Sequence, residues 1–85
     1  MNDSLNSFVI PMRTKEEIAN QLGHKIRTLR VQKNMTMEEL ALESGMDYSQ
    51  LSRIERGKIN TSVYQIYALA RVLEIPVHTI FKDIQ

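Results

Sequence analysis

Residues 45–58 read "GMDYSQLSRIERGK". Gly45 and Asp47 begin the stretch as a helix start, Arg56 and Gly57 end it, and between them only Leu51 and Ile54 are firmly apolar. So narrow an apolar edge anchors one side of a short helix. It leaves Tyr48, Ser49, Ser52, Arg53 and Arg56 facing outward at spacings of three and four. Immediately upstream, Thr36 is placed to cap "MEELALES", with Glu38 and Glu39 at the positive end of that helix's dipole. Gly45 stops this upstream helix, because glycine adopts the positive φ that reverses the chain.

The turn between the two helices is only about Gly45-Met46-Asp47. Two helices crossing steeply after so short a turn leave no room beyond a methyl group at Ala41. Leu40, Met46, Leu51 and Ile54 then fill the wedge between them. A small residue, a glycine four later, and apolar residues six and nine beyond that glycine form helix-turn-helix spacing.

Working outward, "TKEE" at 14–17 has the capping-box pattern, with Thr14 as N-cap and Glu17 reaching back. Ile18, Leu22, Ile26 and Leu29 follow as an apolar stripe. This helix is expected to end near Lys33, with Asn34 in the left-handed cap conformation. Downstream, Thr61 or Ser62 caps "VYQIYALARVL", whose inward face is Val63, Ile66, Leu69, Ala70 and Leu73. Pro76 opens a fifth short helix carrying Val77, Ile80 and Phe81. Nothing reads as a paired strand. The expected fold is all-α, five helices in one domain at 14–85, preceded by an irregular, Pro11-interrupted arm at 1–13.

Composition narrows the function. There is no cysteine, hence no disulfide framework and no thiolate metal site. Phe8-Val9-Ile10 is too short for a signal-peptide core or a membrane span, so the chain is expected to be cytoplasmic and free of the membrane. Net charge is only +1 and argues for nothing; its distribution does. Residues 22–33 hold Lys25, Arg27, Arg30 and Lys33 with no acid, whereas 37–44 hold three glutamates and no base. His24 and His78 stand alone, so no metal is expected. Glu38, Glu39 and Glu43 on one exposed helix serve dipole and solubility. With no Gly-rich phosphate loop and no nucleophile–base pair, no enzyme and no cofactor are expected.

"LGHKIRTLR", "TMEELALESG", "LSRIERGK" and "YALARVLEIP" together resemble the Cro/repressor type (XRE family) of helix-turn-helix domain. That family includes restriction–modification controller proteins and lambdoid phage repressors, and the resemblance spans roughly residues 20–82. It implies a transcription regulator that binds double-stranded DNA as a homodimer on a pseudo-palindromic operator, its third helix in the major groove. By position, Tyr48, Ser49, Ser52 and Arg53 fall where the family reads base edges. Thr36, Gln50, Arg56, Lys58 and Asn60 fall where it holds phosphates. Arg30 and Glu55 fall where an ion pair braces the first helix against the third. Two positions depart: Met37 stands where Gln is common, and Thr61 where Pro is common. Val77, Ile80, Phe81 and Ile84 are the expected two-fold contact. In some family members an acidic patch like Glu38, Glu39 and Glu43 touches RNA polymerase. The alternative function is an antitoxin that holds a partner protein, with "SFVIPM" at 7–12 either making that contact or folded on its own domain.

Overall fold

Three of the helices start on a capping box, and these boxes set the frame. Thr14 Oγ1 accepts from the Glu17 N–H at 3.0 Å while Glu17 Oε1 accepts from the Thr14 N–H at 2.8 Å. Thr36 and Glu39 repeat the exchange at 2.8 and 3.0 Å, and Ser62 with Gln65 at 3.3 and 3.1 Å. The backbone hydrogen bond from Thr14 holds the Glu17 carboxyl below its usual pKa.

The computed structural model describes residues 13–59 and 61–84. They form α1 (Lys15–Gln32), α2 (Met37–Ser44), α3 (Tyr48–Glu55), α4 (Val63–Leu73) and α5 (Val77–Phe81), with no strand among the described residues. The turns are made where the residues permit. Asn34 takes φ 60° after α1, and Gly45 takes φ 75° after α2. Asp47 is the N-cap of α3, yet its side chain makes no capping bond. Pro76 is the N-cap of α5. Glu74 ends α4 at φ 59°, where Lys33 donates to its carboxylate and holds its pKa down.

α1 packs on α3 and α5, α2 on α3 and α4, and α4 on α5. The core runs through all five: Ile26, Leu40, Ala41, Leu51, Ile54, Ile66, Leu69, Ala70, Leu73 and Ile80 are buried, with Met46 packed against them. Ala41 is 2% exposed, where the short turn between α2 and α3 leaves room for no more than a methyl group.

Three apolar side chains sit elsewhere than their spacing suggests. Ile18 is 44% exposed and Val63 75% exposed. Both stand in the first turn of their helix, where periodicity gives the face but not whether a neighbouring helix extends far enough to cover it. Ile80 is the converse: expected on a two-fold contact, it is fully buried. The apolar surface left beside it is an open cleft of about 410 Å³ between α1, α4 and α5, lined by Leu22, Val63, Ile66, Tyr67, Val77 and Phe81.

Candidate nucleic-acid interface

α3 is pressed onto α1 at backbone distance. A Cβ at Gly23 would lie 2.2 Å from the Ile54 carbonyl oxygen and 2.7 Å from that of Glu55. Only glycine lets the two helices approach so closely. At the exit of α3, Gly57 has φ 70°, and a Cβ there would come within 2.1 Å of Asn20 Oδ1. The sequence reading gave Gly57 its place as a stop and overlooked Gly23. The available signal was energetic: glycine inside a helix costs about 1 kcal/mol relative to alanine, so one in mid-α1 signals a close approach.

Two turns further along α1, Arg30 grips Glu55. Its Nε donates to Oε2 at 2.8 Å and its Nη2 to Oε1 at 3.1 Å, a bidentate fork. Nη1 donates to the Met35 carbonyl at 2.8 Å, which also ties down the turn between α1 and α2. The two side chains are 12% and 4% exposed. This brace fixes α1, the turn and α3 as one unit.

The outer side of α3 is held by none of this. Ser49 and Arg53 are exposed, one helical turn apart and opposite Leu51 and Ile54. Tyr48 is 47% exposed. Gln50 and Ser52 are half-buried on the flanks of the strip. Arg56 is exposed and folds its Nε back to the Ser52 carbonyl and hydroxyl oxygens, both at 3.3 Å. Lys58 is exposed in the loop, its backbone N–H donating to the Arg53 carbonyl at 2.8 Å. Thr36 is exposed at the start of α2, its hydroxyl accepting from the Glu39 N–H. Asn60 lies outside the described residues. Tyr48, Ser49, Arg53, Arg56 and Lys58 are thus accessible on α3 and the loop that follows it.

A shallow groove of about 260 Å³ borders this strip, lined by Arg27, Arg30, Met37, Ser52, Glu55 and Arg56. Charge patterning marks Arg27 only as part of the basic segment 22–33 and gives it no contact of its own. No three His, Cys, Asp or Glu side chains among the described residues come together as metal ligands, and no described helix is long and apolar enough to cross a membrane.

Comparison with known proteins agrees with this geometry. The restriction-modification controller protein C.AhdI from Aeromonas hydrophila superposes with a TM-score of 0.73 at 36% identity, over 74% of this chain and 96% of that one. A transcriptional regulator from the ATPase CF(0) region of Rhodospirillum rubrum is 27% identical over 73 residues, 86% of this chain and 68% of its own. The regulator SinR from Bacillus subtilis is 33% identical over 63 residues, 73% of this chain and 57% of its own. A helix-turn-helix family, HTH_3, matches residues 26–80, which hold the braced α3 and most of the core. The chain therefore belongs to the HTH_3 helix-turn-helix family, the XRE type of DNA-binding transcription regulators.

Proposed function

We propose that the protein is a cytoplasmic, sequence-specific regulator that inserts α3 into the major groove of a pseudo-palindromic operator as a homodimer. The observation that carries this reading is the contrast around α3: a backbone clamped to α1 by Gly23 and the Arg30–Glu55 fork, beneath an exposed strip of Ser49, Arg53 and Arg56. Rigid placement is what base readout needs, since side chains must meet base edges at fixed positions. Tyr48, Ser49, Ser52 and Arg53 face the bases; Arg53 is the bidentate donor to guanine O6 and N7. Thr36, Gln50, Arg56, Lys58 and Asn60 hold the phosphates on either side; the expected arm falls, but for Arg13, outside the described residues. The cleft bearing Tyr67, Val77 and Phe81 supports a two-fold contact, with half-sites about one helical turn, roughly 10 base pairs, apart or a small multiple.

The experiment is a salt titration of variants on a selected site and a scrambled duplex. Arg53→Ala costs about 1–3 kcal/mol on the selected site and relaxes preference at one base pair per half-site. Lys58→Ala weakens both duplexes alike and lowers the salt slope by about one. An equal loss on both duplexes for Arg53→Ala, with altered base preference for Lys58→Ala, overturns this placement of α3.

A further inference from the structure

The first turn of α1 carries an apolar side chain that lacks its usual partner. Thr14 is the N-cap, so Ile18 stands at the fourth helical position. An apolar residue there ordinarily packs on a second one just before the cap, a contact that fixes how the chain enters the helix. Before Thr14 stands Arg13, which is charged and pairs with the Glu17 carboxylate at 4.0 Å. Ile18 is left exposed.

Ile18 also adjoins a larger uncovered surface. Leu22 follows one turn on along the same face of α1 and lines the apolar cleft with Thr61 and Val63. Val63 is exposed, although its spacing turns it inward on α4. The α5 wall of the cleft carries Val77 and Phe81.

Composition, reach and direction single out residues 8–10 as the occupant of the α1–α4 side. Residues 1–12 lie outside the described residues. Phe8-Val9-Ile10 is the one run of three apolar residues before Thr14, and no charge lies between residues 4 and 12. Covering this run therefore strands no ion away from water. It stands four to six residues before Thr14, up to about 13–21 Å of extended chain. Ile18 and Leu22 lie only about 6 and 12 Å along the helix from Thr14. Pro11 disfavours helical backbone at Ile10, which favours a change of direction where the chain has to double back.

We propose that Phe8, Val9 and Ile10 fold back over the start of α1 and cover Ile18, Leu22 and Val63 of their own chain. The strap supplies the missing partner of Ile18 and leaves Val77 and Phe81 to the two-fold contact. Ile18 lies about 140° round the helix from Gly23, the side pressed on α3. The strap is therefore held away from the outward strip of α3, and it stands whether or not α3 enters DNA.

The test uses the full chain, which has no cysteine of its own to confuse an introduced pair. Ile10→Cys with Ile18→Cys should close to a disulfide within one chain roughly tenfold faster than Ile10→Cys with Glu16→Cys. Glu16 is exposed and within the same reach, but about 160° round the helix from Ile18. Phe8→Ala with Ile10→Ala should lower the melting temperature by about 5 °C. Val63→Ala should lower it only while Phe8 and Ile10 are present, since alanine suits an uncovered helix position better than valine. Affinity of the Phe8→Ala, Ile10→Ala protein for a duplex selected by the wild type should be unchanged well below melting. Equal closure of the two cysteine pairs overturns the strap, because the segment then has no fixed seat. A disulfide between two chains overturns it too, placing the segment on a second copy. So does a loss for Val63→Ala that persists without Phe8 and Ile10, which would give that side of the cleft to another occupant. An unmoved melting temperature with a lost DNA affinity would put the segment on the duplex and overturn it equally.

Discussion

Leu51, Ile54 and Glu55 on one edge of α3 are each less than a tenth exposed, whereas Ser49 and Arg53 on the other edge are exposed. Eight residues thus answer to two kinds of constraint. On the inner edge a side chain is judged by its neighbours within the fold: the Ile54 carbonyl faces a position where only glycine fits, and the Glu55 carboxylate has both oxygens occupied. On the outer edge the fold sets where a side chain stands and leaves its identity open. Substitutions on the two edges should therefore fall into separate classes, stability losses within and stability-neutral changes without.

The largest effect is expected at the brace. Glu55→Ala removes the partner of a guanidinium that is only 12% exposed and leaves an uncompensated charge between α1 and α3. Breaking a buried pair in this way costs about 3–5 kcal/mol. For a domain of this size each kcal/mol lowers the melting temperature by about 4–8 °C, so calorimetry or circular dichroism should register a drop well beyond 10 °C. A drop of a degree or two would mean that solvent reaches Arg30, and the inner edge would lose its strongest constraint.

Gly23→Ala comes next, and two terms of opposite sign decide it. Alanine gains about 1 kcal/mol of helix propensity over glycine. Against this, its Cβ would stand 2.2 Å from the Ile54 oxygen and 2.7 Å from the Glu55 oxygen, so α3 must move off α1. Overpacking against backbone costs typically 1–3 kcal/mol and has no flexible side chain to relieve it. The net change is a loss of about 0–2 kcal/mol. A raised melting temperature would show that the helices are held apart by more than the glycine. In the same preparation DNA affinity should fall as well, because the clamp sets the angle of α3.

These examples show which parts of the molecule were legible in the sequence. The capping box at Thr14 depends on residues three apart, so the local pattern sufficed there, whereas at α4 it left Thr61 and Ser62 both open and the structure gives Ser62. The buried wedge of Leu40, Ala41, Leu51 and Ile54 followed from a turn too short for any other packing. The Arg30–Glu55 pair joins residues 25 apart, and only the family resemblance placed them together. Gly23 and Arg27 were missed for a shared reason: what matters at each is the element lying across from it, and periodicity is silent about that. Ile18, Val63 and Ile80 mark the same limit from the other direction. Spacing assigns a side chain to a face of its own helix, and the extent of the neighbouring helix decides whether that face is covered. Within the candidate site, the outward set on α3 was legible because Leu51 and Ile54 fix the inward direction. The groove at Arg27 was not, since three separate helices build it.

The smallest expected effect is the one that tests the comparison most directly. Arg53→Ala removes a long exposed side chain that accepts and donates no hydrogen bond within the described residues. Helix propensities of arginine and alanine differ by only a few tenths of a kcal/mol, in alanine's favour. Arg53 does stand in the last turn of α3, where its charge opposes the negative end of the helix dipole. That interaction is worth about 0.3–1 kcal/mol at an exposed site and fades with salt. The two terms nearly cancel, so the folding stability of Arg53→Ala should stay within about 0.5 kcal/mol of the wild type, as for surface sites generally. Urea titration at two salt concentrations measures it, and the dipole share should shrink at the higher one. A loss above 1 kcal/mol that persists in high salt would mean that Arg53 is held by the fold. The outer edge of α3 would then answer to the same constraints as the inner one, and its exposure would no longer mark it as free to read an outside partner.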